Sequence, residues 1–208
     1  MLIDAVVLAG GRSSRLGFVP KASLLVDNES LLEKAVIAAL GVSRSCVVVG
    51  PLAPEIAGHE ILAVQEDPPF SGPAAALAAG LRLLPSGSQT SESVLVLACD
   101  MPGIAVQLPA LVAALNSASR VIDGAISLDP HGYRQPLAAL YRHHELTQVV
   151  SQFSDLELIG LSMRAVIEQL NLLSVPAALG VTDDVDSWED AARLGATEPQ
   201  SETQEGTQ

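Results

Sequence analysis

Basic and aromatic residues are scarce in this 208-residue chain: Lys and Arg number 11 against 24 Asp and Glu, and Phe, Trp and Tyr together make up 3%. The net charge of −13 removes the electrostatic footprint that nucleic-acid binding requires, because that binding rests on neutralising phosphates with Lys and Arg. Only two cysteines occur, Cys46 and Cys99, each inside an apolar run. That excludes a disulfide framework and a thiolate metal site, and predicts two buried, reduced thiols. No apolar run reaches the ~18 residues of a membrane span. The first residues, Met1-Leu2-Ile3-Asp4-Ala5-Val6-Val7-Leu8, carry neither a basic region nor a small-residue cleavage pattern. The expectation is a cytoplasmic protein with no membrane or nucleic-acid partner.

What is present is apolar: 49% of residues, mostly Ala, Leu and Val, with 17% charged. A chain of this length can bury a large core, and this composition does not read as disordered. Strands are predicted over 3–8, 46–49, 61–64, 94–98, 124–128, 136–141 and 172–175. Helices are predicted over 31–40, 74–84, 109–117, 144–152, 163–170 and 188–194. Ser30 with Glu33 three residues later forms a capping box for the helix at 31. The continuous apolar run Val94–Ala98 is the pattern of a strand buried on both faces. Strands alternating with helices predict a three-layer α/β/α fold with a mostly parallel, Rossmann-like sheet. One domain is expected over 1–195, followed by a disordered acidic tail over 196–208.

Ligands of such sheets bind outside the carboxyl ends of the strands. Two features fall there. Gly10-Gly11, after the first strand, lets the backbone approach a ligand and aim N–H groups at it. Arg12, Arg15 and Lys21 add positive charge suited to a polyphosphate, in a chain that is otherwise acidic. The spacing matches neither G-x-x-x-x-G-K-[ST] nor G-x-G-x-x-G, which argues against a P-loop ATPase and a nicotinamide dehydrogenase. Asp100, at the end of the 94–98 strand, suits Mg²⁺, which takes one or two carboxylates plus phosphate oxygens and waters. As a plain turn residue it would need no ligand at all.

Further along, Glu66-Asp67-Pro68-Pro69-Phe70-Ser71-Gly72-Pro73 opens onto a helix with unsatisfied N–H groups, so Ser71 and Gly72 could read a nucleobase edge and Asp67 a ribose or base donor. A proline-stiffened connection is the plain alternative. Thr182-Asp183-Asp184-Val185-Asp186-Ser187-Trp188-Glu189-Asp190 sets acidic residues at a helix start, where the helix dipole alone accounts for several of them. Asp184 or Asp186 could complete a metal site. His59, His131, His143 and His144 lack the spacing of a zinc site, and the last two are expected on a helix surface.

Taken together, L-A-G-G-x-S-x-R-x-G-x-x-x-K from Leu8 to Lys21 resembles the signature of the MobA-like nucleotidyltransferases. The likeness continues through Asp67 with Ser71-Gly72-Pro73, Leu97–Pro102, Gln135–Arg142 and Asp184–Asp190, in order and across nearly the whole chain. Within the family it is most similar to the guanylyltransferases of the molybdenum cofactor: the loop reads Ala9-Gly10-Gly11, and three residues separate Gly17 from Lys21. The chain departs from that branch at Val49-Gly50-Pro51, where an Asn is frequent, at Pro20, where an Asp is common, and in the 184–190 motif, which is closer to cytidylyl relatives.

The resemblance implies a nucleotide-diphospho-sugar-transferase type of fold and Mg²⁺-dependent transfer of GMP from GTP to the terminal phosphate of molybdopterin, with release of pyrophosphate. It implies that Leu8, Ala9, Gly10 and Gly11 hold the nucleotide, with Asp67, Ser71 and Gly72 at the nucleoside. It assigns Arg15 and Lys21 to the triphosphate, and Asp100 with Asp186 to the metal. Arg134 and Gln135 would face the pterin, and docking with other cofactor-biosynthesis proteins is expected. A nucleotidyltransferase using CTP or another phosphate acceptor, and a non-catalytic nucleotide-binding module, are the alternatives.

Overall fold

The computed structural model describes residues 1–11, 16–17, 19–51, 61–87 and 90–199. Its elements follow the alternation of the sequence. β1 (Ile3–Leu8) leads through a short 3-10 turn at Lys21–Ser23 to a small hairpin, β2 (Leu25–Val26) and β3 (Glu29–Ser30). Then come α1 (Leu31–Leu40), β4 (Ser45–Val49), β5 (Ile61–Val64), α2 (Pro73–Leu83), β6 (Ser93–Ala98) and α3 (Leu108–Ser117). The chain continues with β7 (Gly124–Leu128), β8 (Arg134–Arg142), α4 (His143–Val150), α5 (Asp155–Leu158), α6 (Met163–Val166), β9 (Leu172–Pro176) and α7 (Trp188–Leu194).

Seven of these strands make one sheet, in the order β5-β4-β1-β6-β8-β7-β9. β1 pairs in parallel with β4 and β6, and β7 in parallel with β9. β8 alone runs against its neighbours, pairing antiparallel with both β6 and β7. β1 is buried at every position, as expected of a strand covered on both faces.

The two-residue period of the strands sorts the core into two layers. Val6 and Leu8 of β1 and Val94 and Val96 of β6 face one side, with Leu77 of α2, Leu146 of α4 and Met163 of α6. Ala5, Val7, Leu95 and Leu97 face the other, with Leu32 and Val36 of α1 and Leu108, Leu111 and Leu115 of α3. The three-layer α/β/α arrangement of the sequence reading is therefore observed. α2 lies very close to the sheet because Gly80 has no side chain: a Cβ there would stand 2.6 Å from Val6 Cγ1 and 2.9 Å from Val49 Cγ2.

A third cluster fixes the site's periphery. Leu16, Leu24, Val26, Leu31, Val185, Ala191 and Ala196 are buried together, tying the segment around Lys21 to the start of α1 and to the C-terminal helix. The chain remains structured beyond 195. Ala196 is buried, and Thr197 exchanges backbone hydrogen bonds with Leu25 at 2.8 and 2.9 Å. The expected disordered tail from 196 thus starts too early, and 200–208 lie outside the described residues. The helix predicted to reach Leu170 ends at Val166, where the chain turns so that Ile167 and Leu170 both pack inward.

Candidate functional site

The carboxyl ends of the central strands are drawn together by backbone contacts. Ala9 N–H donates to the Val49 carbonyl at 2.8 Å and Cys99 N–H to the Leu8 carbonyl at 3.1 Å. Gly50, at φ 155°, permits this closeness: a Cβ there would lie 2.9 Å from the Ala9 carbonyl carbon. Any side chain at 50 would push the Gly10-Gly11 turn off the sheet, which gives a physical reason for glycine at this position.

Above these ends lies a cavity of about 590 Å³, within the usual range for small-molecule sites. Leu8, Ala9, Gly10 and Gly11 line it from β1, Ala98, Cys99 and Asp100 from β6, and Gly72, Pro73 and Ala76 from the start of α2. Gly72 caps that helix in a positive-φ conformation, and the Ala76 N–H donates back to its carbonyl at 3.0 Å.

Charge gathers at the β6 side. Asp100, Asp184 and Asp186 each offer a carboxylate oxygen, and the three oxygens lie within 4.8 Å of one another. The Val185 N–H donates to the Asp100 carbonyl at 3.1 Å, which pins the 184–186 segment beside Asp100. Lys21 reaches into this cluster, with Nζ bonded to Asp186 and 3.3 Å from Asp100 Oδ2. Burial pushes the Asp100 carboxyl above its usual range, only partly offset by the Lys21 ammonium. Burial also lifts Asp184, reinforced by the charges of Asp186 and Asp100. For Lys21 burial acts to depress the ammonium, but the hydrogen bond to Asp186 and the charges of Asp100 and Asp186 outweigh it and raise the group.

The remaining acids of the segment serve the fold. Ser187 and Asp190 form the capping box of α7, and Arg193 binds both Asp183 and Asp190. Helix capping therefore accounts for Asp190, while Asp186 lines the cavity with Asp100 and the exposed Asp184 stands beside them in the same oxygen cluster. The donor set of that trio is all oxygen, which is what a hard divalent cation such as Mg²⁺ requires.

The structure brings together Leu8, Ala9, Gly10, Gly11, Lys21, Gly72, Asp100 and Asp186 around the one cavity. Arg12 and Arg15 lie outside the described residues. Ser71 is buried behind the site, its Oγ donating to the Pro68 carbonyl at 2.5 Å. Asp67 is exposed and away from the cavity wall; its neighbour Glu66 is the acid that lines it. Arg134 turns from the site onto β9, donating to Ser174 Oγ at 3.1 Å, and Gln135 donates to Asp129 at 2.9 Å. His143 is half-buried against Ser91 Oγ, 3.0 Å away, rather than on a free helix surface. Residue-by-residue reading missed Glu66, Phe70 and Leu137, all of which line the cavity. For Glu66 the available signal was an acid just past the end of a strand.

A mostly parallel α/β sheet with a glycine turn, a lysine and a carboxylate trio at its carboxyl edge has the features of a nucleotide-dependent phosphoryl or nucleotidyl transferase. The chain belongs to the MobA-like NTP transferase domain family, which matches residues 5–173; it is a nucleotidyltransferase. Among its relatives, a Chloroflexus aggregans protein named "Probable molybdenum cofactor guanylyltransferase" is 33% identical over 158 residues, 74% of this chain and 72% of the relative. Two solved structures share the fold. One, the 2-C-methyl-D-erythritol 4-phosphate cytidylyltransferase of Francisella tularensis, has a TM-score of 0.70 at 11% identity, covering 94% of this chain and 99% of that one. The other, the molybdopterin-guanine dinucleotide biosynthesis protein A of Archaeoglobus fulgidus, has a TM-score of 0.63 at 19% identity, covering 92% and 96%. Among the described residues no helix is long and apolar enough to cross a membrane.

Proposed function

We propose that this nucleotidyltransferase moves GMP from GTP to the terminal phosphate of molybdopterin. A phosphate oxygen of the pterin attacks the α-phosphorus of GTP, the bond between the α-phosphorus and its bridging oxygen to the β-phosphate breaks, and pyrophosphate leaves with that oxygen. One observation supports the reading most: a single cavity has backbone-lined walls from Leu8 to Gly11 and from Gly72 to Ala76, and a lysine inside a carboxylate trio at its β6 side. The curated relatives named for molybdenum cofactor guanylyl transfer supply the choice of substrates.

In-line nucleotidyl transfer needs little covalent help from protein, and positioning with charge stabilisation carries it. The N–H groups of the Gly10-Gly11 turn hold the nucleotide, and Gly72, Pro73 and Ala76 wall the other side of the cavity. Lys21 neutralises the triphosphate and the departing pyrophosphate, with Arg15 as its proposed partner. Asp100, Asp184 and Asp186 are the residues that would hold Mg²⁺, which when bound stabilises charge on phosphate oxygens.

Thermal melting with GTP, CTP, ATP and UTP, each with Mg²⁺, tests the base. Ligand at ~100 times its dissociation constant stabilises by ~2.7 kcal/mol, a shift readily measured. Stabilisation by GTP above the other three is expected; a preference for CTP would overturn the guanylyl reading.

A further inference from the structure

At the edge of the sheet opposite the nucleotide cavity lies a second groove, of about 560 Å³. It sits where β8 ends beside the start of β6, with Arg142 paired to Ser93, and where α4 begins. Arg142 lines it and is only 8% exposed. Its Nε donates to the Ile122 carbonyl at 2.7 Å. Its two Nη nitrogens have no hydrogen-bond or ion-pair partner among the described residues. They are not sealed off either: the unpaired side-chain atoms shut away from solvent among the described residues are Glu66 Oε2 and Ser127 Oγ. Buried charges are nearly always paired, so a buried guanidinium with an open edge in a groove wall calls for an anion. The Nη1–Nη2 edge is a fork that matches two oxygens of one phosphate. The exposed Arg120 lines the same groove and adds a second positive charge.

The neighbouring polar groups narrow the ligand further. Ser91 Oγ hydrogen-bonds the buried Asp4 carboxylate, which only accepts, so the serine proton goes there. The serine oxygen then accepts from His143 Nδ1–H, 3.0 Å away. That fixes the tautomer and leaves Nε2, which has no partner among the described residues, as the acceptor of the ring. Burial draws the His143 imidazolium below its usual range, only partly offset by the Asp4 charge, which keeps the ring neutral. Glu92, whose Oε1 accepts the Leu2 N–H at 3.3 Å, and Glu145 complete the polar lining. Their carboxylates disfavour a highly charged ligand such as a triphosphate and suit one that carries hydroxyl donors. The space also exceeds what a lone phosphate fills.

We propose that this groove binds a small, hydroxyl-bearing phosphate monoester, with its phosphate on the Nη1–Nη2 edge of Arg142 beside Arg120 and a hydroxyl donating to His143 Nε2. The groove lies apart from the nucleotide cavity and holds whichever base that cavity takes.

The test follows the Cε1–H proton resonance of His143, identified by its absence from His143→Gln, as glycerol 3-phosphate is added at constant ionic strength and neutral pH. This proton lies in the groove, so it reports binding there and not at the opposite edge. The wild type should show a saturable shift with a dissociation constant in the roughly millimolar range. Arg142→Lys keeps the charge and loses the fork, and should weaken binding about tenfold, as loss of one charge-assisted hydrogen bond does. Arg120→Gln, at an exposed position, should weaken it as well. A shift that never saturates, or that glycerol or sodium chloride reproduces, overturns the proposal, as does unchanged affinity in Arg142→Lys. Should Arg142→Lys fail to fold, the wild-type titration and Arg120→Gln decide the matter, and unchanged affinity in the latter then overturns the site.

Discussion

Lys21 Nζ and Asp100 Oδ2 stand 3.3 Å apart, although 79 positions separate the two residues in the chain. The same ammonium bonds Asp186, so one lysine bridges the strand-end carboxylate and the C-terminal acidic segment. Three clustered carboxylates repel, and the lysine offsets that repulsion. A bound divalent cation would take over this task and release the ammonium to the phosphates.

Lys21→Ala and Asp100→Ala should each lower turnover by roughly 10²–10³-fold, the usual loss when one charge-stabilising group is removed from a reacting phosphate or oxyanion. Far-ultraviolet circular dichroism should stay unchanged, because neither side chain belongs to the two main core layers. Full Mg²⁺-dependent turnover by Asp100→Ala would remove it from the metal site.

Asp184→Asn and Asp186→Asn separate the two later acids. Both lie with Asp100 in one oxygen cluster, so each variant should raise the Mg²⁺ concentration needed for half-maximal activity. A magnesium titration reads this directly. An unaltered requirement in Asp184→Asn would leave Asp100 and Asp186 as the pair.

At the opposite end of β1, Asp4 is fully buried and accepts from Arg44 Nε at 2.9 Å, Arg44 Nη2 at 3.2 Å and Ser45 Oγ at 2.6 Å. Burial acts to raise its carboxyl, but the hydrogen bonds from Arg44, Ser45 and Ser91 outweigh it and hold the group below its ordinary value of 3.8. The unfolded chain therefore binds this proton more readily than the folded one. The stability Asp4 supplies is complete above pH 3.8 and is lost as pH falls through its lower folded value. Asp4→Asn should destabilise by about 3 kcal/mol in urea unfolding at pH 7, the low end for a broken buried pair because Arg44 is partly hydrated. The variant's stability should also fall less steeply with acid than the wild type's.

Cys46 and Cys99 are both buried, and burial pushes the Cys46 thiol up to about 12. Burial and the neighbouring Asp100 charge push Cys99 upward as well. Neither should react with a disulfide reagent at pH 8 until the protein is unfolded in guanidinium. Rapid labelling of Cys99 in the native protein would mean that the cavity floor opens to solvent.

Much of the frame was legible because its signals are local. Glu33 follows Ser30 by three positions, and the structure forms that capping box with both hydrogen bonds. Val94–Ala98 read as a doubly covered strand, and β6 occupies the middle of the sheet. The β2–β3 hairpin was missed because each arm has two residues, although Asp27 and Asn28 at φ 55° and 67° are the residue types a tight primed turn selects. The choice between Glu66 and Asp67 was not legible, since adjacent acids differ only in which one the Pro68–Phe70 turn points inward. Arg134 stands just before the Gln135–Arg142 motif, yet its guanidinium is taken by β9, a strand 38 residues and more further along. Pairings of that kind depend on the order of strands in the sheet, which periodicity does not encode.

Pyrophosphate release by the purified protein, with Mg²⁺ and molybdopterin, from each of the four nucleoside triphosphates tests guanylyl transfer most directly. Release from GTP that requires the pterin and yields a guanine dinucleotide in equal amount is expected. Release from CTP in preference to GTP, or nucleotide binding without pterin-dependent release, would contradict it.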